Sequence, residues 1–152
     1  MGLSLEFYAG SRDRIVEAMQ ECDLDRLDCP EVTVAYADFS LHLEPGDLNL
    51  MSRAIGLAEN REPLELMPFL TGIVDENGYG ALEVGPDWVG HIATANPAHL
   101  EAFAVGWTEL MSALHGESIE VNDGMRKAIF DLLSLCRLAV KSKAAVVHVW
   151  YT

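Results

Sequence analysis

Residues 144–151 read Ala-Ala-Val-Val-His-Val-Trp-Tyr, an apolar run broken only by His148. Its near-continuous apolar content predicts a strand. Left exposed, such a segment would be an aggregation site, so it is expected to be paired inside a sheet. Just upstream, Ile129, Leu132, Leu133, Leu135, Cys136, Leu138, Ala139 and Val140 are apolar nearly all round a helical repeat that Asn122 or Asp123 can open. That helix should pack on more than one side. A helix running straight into a buried strand implies helices layered on a sheet.

The longest clean amphipathic pattern begins at Asn96-Pro97, an N-cap followed by a proline whose missing N–H is harmless at a first helical position. Leu100, Phe103, Ala104, Trp107, Leu110, Met111 and Leu114 share one face, and Gly116 supplies the stop. Gly85-Pro86-Asp87 opens a shorter helix through Trp88 and Ile92. Asp47 can cap a helix in which Leu48, Met51 and Ile55 recur, and residues 64–70, punctuated by Pro63 and Pro68, read as a short helical stretch. Ser11 can cap a first helix bearing Ile15, Met19 and Cys22 on one face.

Leu3, Leu5 and Phe7 alternate with Ser4 and Glu6 as in a half-buried strand, which Gly10 breaks. Residues 32–43 predict one or two extended segments, clearest where Phe39, Leu41 and Leu43 alternate with Ser40 and His42 before Pro45-Gly46. Asn77-Gly78-Tyr79-Gly80 is a turn signal. No repeat or linker divides the chain. The expected architecture is a single α+β domain over residues 1–152, with four or five helices packed on a small mixed β-sheet that includes the C-terminal strand.

The composition is globular: 152 residues, 50% hydrophobic, 22% charged, with mean hydropathy +0.13. Ten Lys and Arg face 24 Asp and Glu, a formal charge of −14. That balance argues against nucleic acid, whose binding depends on cationic groups releasing counterions. No basic leader precedes an apolar block, and no run reaches the roughly 18 apolar residues of a membrane span, so a soluble cytoplasmic protein without a membrane partner is expected. Cys22, Cys29 and Cys136 are too few and too odd for a disulfide framework, and reduced thiols are expected. Charge is also uneven. Residues 1–125 hold five basic and 23 acidic side chains, whereas residues 126–152 hold five basic ones and only Asp131.

The order of several short signals resembles the YfbM-like family of small bacterial proteins of unknown function. These are Met1-Gly2 before a strand and helix, Leu50-Met51-Ser52-Arg53-Ala54-Ile55-Gly56, Gly78-Tyr79-Gly80 ahead of the helix from Pro86, and a last helix with Leu133, Arg137 and Ala139 entering an apolar strand. The resemblance implies an α+β fold in a bacterial cytosol and carries no activity or catalytic residue.

Motifs for chemistry fail on inspection. An EF-hand loop from Asp23 would need glycine at Asp28 and glutamate at Val34. His42-Leu43-Glu44 matches half of a zinc deaminase signature but lacks the Pro-Cys-x-x-Cys half. Gly78-Tyr79-Gly80 would start a dinucleotide fingerprint only with glycine at Glu83, and neither a nucleophile elbow nor a metalloprotease helix motif occurs. No catalytic residue, metal site or cofactor is assigned, and the reading leans away from an enzyme.

Two candidate regions remain. Glu21, Asp23, Asp25 and Asp28 form an acidic face with Arg26 as the one nearby cation, suited either to solubility or to a basic protein surface. That makes an adaptor, inhibitor or immunity-type interaction domain, monomeric or homodimeric, the first expectation. The alternative is a small-molecule-binding protein or small enzyme with a pocket near Tyr79, Trp88 and His91, where a Gly-rich loop meets a helix start. Arg53 can hold a buried carboxylate, project into solvent or bind an anion. His91 and His99 can converge with Glu101 or Asp87, His115 suits the negative end of its helix, and His148 is either a core residue or a site residue. Trp88, Trp107 and Trp150 each fall on an apolar face and are expected in the core.

Overall fold

A computed structural model describes residues 4–39, 45–65, 72–74 and 80–151. In chain order the elements are β1 (Ser4–Gly10), α1 (Arg12–Gln20), β2 (Thr33–Asp38), α2 (Pro45–Glu59), β3 (Gly72–Val74), β4 (Gly80–Glu83), α3 (Pro86–Ala93), α4 (Leu100–His115), α5 (Asp123–Ser142) and β5 (Ala145–Tyr151), with short 3-10 turns at Leu24–Asp28 and Pro97–His99. The strands form one sheet of order β2-β1-β5-β4-β3. The C-terminal strand is paired on both sides, as its hydrophobicity demands. All four pairings are antiparallel, where a mixed sheet was expected. The expected α+β architecture is otherwise the observed one.

Strand alternation sorts the core into two layers. Leu5, Phe7 and Ala9 of β1 lie opposite Trp150, His148 and Val146 of β5 and point toward α2, α3, α4 and α5. Tyr8, Val147, Val149 and Ala81 point the other way, onto Ile15, Ala18 and Met19 of α1 and onto Leu27 of the first 3-10 turn. β5 is apolar on both faces because both are covered.

The helix ends follow local chemistry. Asn96 accepts from the Ala98 N–H at 3.0 Å, Asn122 accepts from the Met125 N–H at 3.0 Å, and Gly116 closes α4 at φ 69°. Asp47 does not cap α2: the helix begins at Pro45, and Asp47 lies buried in its first turn. Trp88 and Trp107 are buried, and the Trp107 indole N–H donates to the Asp47 carbonyl at 2.8 Å, tying α4 to α2. Residues 64–65 are not helical, and the rest of that expected stretch, with the 39–43 alternation beyond Phe39 and the turn at residues 77–79, lies outside the described residues.

One close approach depends on a glycine. At the end of β1 the pairing with β2 shifts register, so that Val34 is the extra residue of a β-bulge. A Cβ on Gly10 would stand 2.0 Å from the Val32 carbonyl oxygen, a backbone atom that cannot swing aside. Gly10→Ala should therefore cost about 1–3 kcal/mol, read as a lower urea midpoint at unchanged slope. An unchanged midpoint would show that the bulge absorbs the methyl group.

Candidate functional site

The acidic face is built where α1 turns over toward the edge of the sheet. Cys22 takes a left-handed conformation (φ 53°), and the N–H groups of Cys22 and Asp23 close the helix on the carbonyls of Met19 and Ala18. The 3-10 turn that follows is pinned by buried Leu27 and leaves Leu24, Asp25 and Asp28 exposed. The Cys29 carbonyl then accepts from the Val32 and Thr33 N–H groups at 2.9 Å, which folds the chain back into β2.

Among the four acidic candidates the ion pairing is unequal. Arg26 donates to Glu21 and, at 3.4 Å, to Glu17. Asp23, Asp25 and Asp28 have no ion pair among the described residues. Beside them β2 is an edge strand of the described sheet, and it presents Val34 (51% exposed) and Tyr36 (45% exposed), while Leu24 (46% exposed) belongs to the turn across the cleft. A cleft of about 250 Å³ separates turn from strand, with Tyr8, Asp28, Thr33, Val34 and Tyr36 in its lining. Behind the two tyrosines lies the buried Glu6 carboxylate, which accepts from Tyr8 Oη at 2.7 Å and Tyr36 Oη at 3.1 Å. The Tyr8 and Tyr36 rings themselves are 5.1 Å apart.

The second candidate region is dispersed. Tyr79 lies outside the described residues. Trp88 is buried and stacked on Phe7 at 6.0 Å, and Arg53 is exposed on α2 with no ion pair among the described residues. His91 and His99 are both drawn toward the end of α2, not to Glu101 or Asp87; Glu101 instead pairs with Arg126. The Glu59 carboxylate accepts from the Asn96 N–H at 3.0 Å and Arg61 Nη2 at 3.0 Å and contacts His99 Nδ1 at 3.1 Å. Burial would raise the Glu59 pKa, but these three partners outweigh it and hold the carboxyl below its usual range.

Arg61 also donates to the Thr94 hydroxyl at 2.9 Å and the His91 carbonyl at 3.2 Å, clamping the end of α2 against the end of α3. Burial, and then the Arg61 charge, lowers the His91 pKa. Three buried atoms of this region, Arg61 Nε, Trp88 Nε1 and His91 Nε2, have no hydrogen-bond partner among the described residues.

Two further described histidines, His115 and His148, lie away from this cluster. His115 Nε2 lies 2.7 Å from Asp47 Oδ1, so its partner is a carboxylate at the start of α2 and not only the end of its own helix. His148 is buried, stacked on Phe7 with ring centroids 4.9 Å apart, and burial pushes its pKa down to about 4. Burial likewise pushes the Cys136 thiol up, away from nucleophilic use, while Cys22 and Cys29 are exposed free thiols. No group of three or more His, Cys, Asp or Glu among the described residues is placed to hold a metal, and no described helix is long and apolar enough to cross a membrane.

Sequence reasoning missed Glu6, Tyr8, Tyr36, Glu59 and Arg61. Asn60, left-handed at φ 53°, was a readable helix stop beside Glu59 and Arg61, but apart from each other their partners lie 30 or more residues away. No family model, curated protein or solved structure matches the chain.

Proposed function

We propose that this chain is a non-enzymatic protein-interaction domain of the adaptor, inhibitor or immunity type, whose acidic edge docks a basic protein surface. The observation that carries the reading is the coincidence of three features at one place: carboxylates of Asp25 and Asp28 without cations among the described residues, exposed apolar side chains Leu24, Val34 and Tyr36, and an edge strand. Unneutralised carboxylates raise the local field and speed encounter with a cationic partner. Apolar side chains within that field supply the area that is desolvated on contact, and an edge strand offers main-chain donors and acceptors.

The test is a pull-down with the full chain at about 50 mM and about 300 mM salt, a range over which screening of exposed charges tightens, run in parallel with Asp25→Asn/Asp28→Asn and Tyr36→Ser variants. A stoichiometric basic protein should be retained by the wild type at low salt, and both variants should retain at least about tenfold less of it. Capture that ignores salt and both variants would place the partner elsewhere, and the absence of any such protein would overturn the reading.

A second reading, a small-molecule site near Trp88 and His91, draws support from the buried atoms Trp88 Nε1, His91 Nε2 and Arg61 Nε, which have no partner among the described residues, since buried polar groups are normally satisfied. A ligand there would raise the melting temperature of the wild type and not that of His91→Phe.

A further inference from the structure

We propose that the cleft between the start of α3 and the end of α5 is a binding site for a small apolar carboxylate, with Lys143 holding its charge. The site lies apart from the acidic edge and does not depend on that reading. Its volume is about 370 Å³, within the usual size of small-ligand pockets. Val84 and Val89 form one wall, Ala139 and Val140 the other, and the only ionisable side chains in the lining are Glu83 and Lys143.

The two charges are not equivalent. Glu83 already faces the Arg12 guanidinium at 3.5 Å, whereas Lys143 has no ion pair among the described residues. Lys141 adds a second cation in the last turn of α5. With Glu83 facing Arg12, Lys143 is the one charge in the lining without an ion pair among the described residues, which selects an anion for this place. A single ammonium over apolar walls, with no arginine in the lining, suits the one charge of a carboxylate better than a phosphate dianion.

The backbone supplies an independent observation. Lys143 occupies a left-handed position (φ 54°) that glycine fills most readily. The last carbonyls of α5 are already satisfied there by main-chain donors: the Lys143 N–H reaches Val140 O at 3.4 Å and the Ala144 N–H reaches Ala139 O at 2.9 Å. The ammonium is thus not needed to close the helix. A long cationic side chain stands at a strained position where the fold itself would be served by none.

The probes are hexanoate, 1-hexanol and hexylamine, titrated into the isotope-labelled full chain and followed by amide chemical shifts. Hexanoate should move the Val84, Val89, Lys143 and Ala144 signals saturably, with a Kd of about 1 mM or tighter, and the two uncharged or cationic analogues should bind at least about tenfold more weakly. Lys143→Asn retains a residue that tolerates the left-handed backbone, so it should fold normally and lose the preference for hexanoate over hexanol. No saturable shift, equal binding of hexanol, or undiminished hexanoate binding by Lys143→Asn would each overturn the proposal.

Discussion

Phe7→Ala is expected to lower stability by about 3–5 kcal/mol, against a total of about 5–15 kcal/mol for a domain of this kind. Phe7 is fully buried on β1, an interior strand paired on both sides, and is the hub of the aromatic packing. Its ring stacks on His148 at 4.9 Å and on Trp88 at 6.0 Å, and meets Phe39 edge-on at 5.6 Å. Alanine would forfeit the transfer free energy of the ring and leave a hole bounded by β5, α3 and the end of β2, none of which can close it without breaking its own pairing. The measurement is the urea midpoint, with near-ultraviolet circular dichroism reporting the loss of aromatic order. Phe7→Leu should lose clearly less, because it keeps much of the volume. A loss below about 1 kcal/mol for the alanine variant would show that the layer between sheet and helices is loosely packed.

Acid should unfold the protein through His148. Its imidazole titrates at about 4 in the folded chain against 6.5 when unconstrained, because burial disfavours the charged form. Between those values the unfolded chain binds a proton that the folded one refuses, so stability falls as the pH drops from 6.5 toward 4 and this contribution levels off below 4. The total is about 3 kcal/mol. His91, also shifted down, acts with the same sign, and the Glu59 carboxylate adds to the loss once the pH falls through its own lowered pKa. In His148→Leu the slope of melting temperature against pH between 6.5 and 4 should flatten, whatever the variant's absolute stability. A slope identical to that of the wild type would remove His148 as the acid sensor.

Much of the local structure was legible in the residues. The starts of α3 and α5 follow Gly85-Pro86 and Asn122, Asn96-Pro97 opens the 3-10 turn that leads into α4 at Leu100, and Gly116 ends α4, because capping involves atoms only a few residues apart. The α2 boundary was misplaced because Pro45 can itself open the helix, one half-turn before Asp47. Of the extended stretch expected over residues 32–43, β2 (Thr33–Asp38) is observed, and the alternation beyond Phe39 lies outside the described residues. Of the candidate site residues, Asp25 and Asp28 could be named from composition alone, whereas Glu6, Tyr8 and Tyr36 could not. A tyrosine on a strand gives no sign that its hydroxyl will meet a carboxylate on the neighbouring strand, here 30 residues earlier.

By itself the sequence determined the α+β class, the paired C-terminal strand, the caps at Asn96, Asn122 and Gly116 and the division of charge between an acidic body and a basic C-terminal segment. Only the tertiary structure decided that β5 lies between β1 and β4, that Asp47 receives His115, that Glu59 and Arg61 clamp α2 to α3, and that Lys143 overlooks a cleft. The division has one physical reason. Periodicity and capping are short-range and act within a turn or a strand. Strand order, ion-pair partners and cavities are set by which burial of the two sheet faces leaves the fewest polar groups unsatisfied, a property of the whole chain.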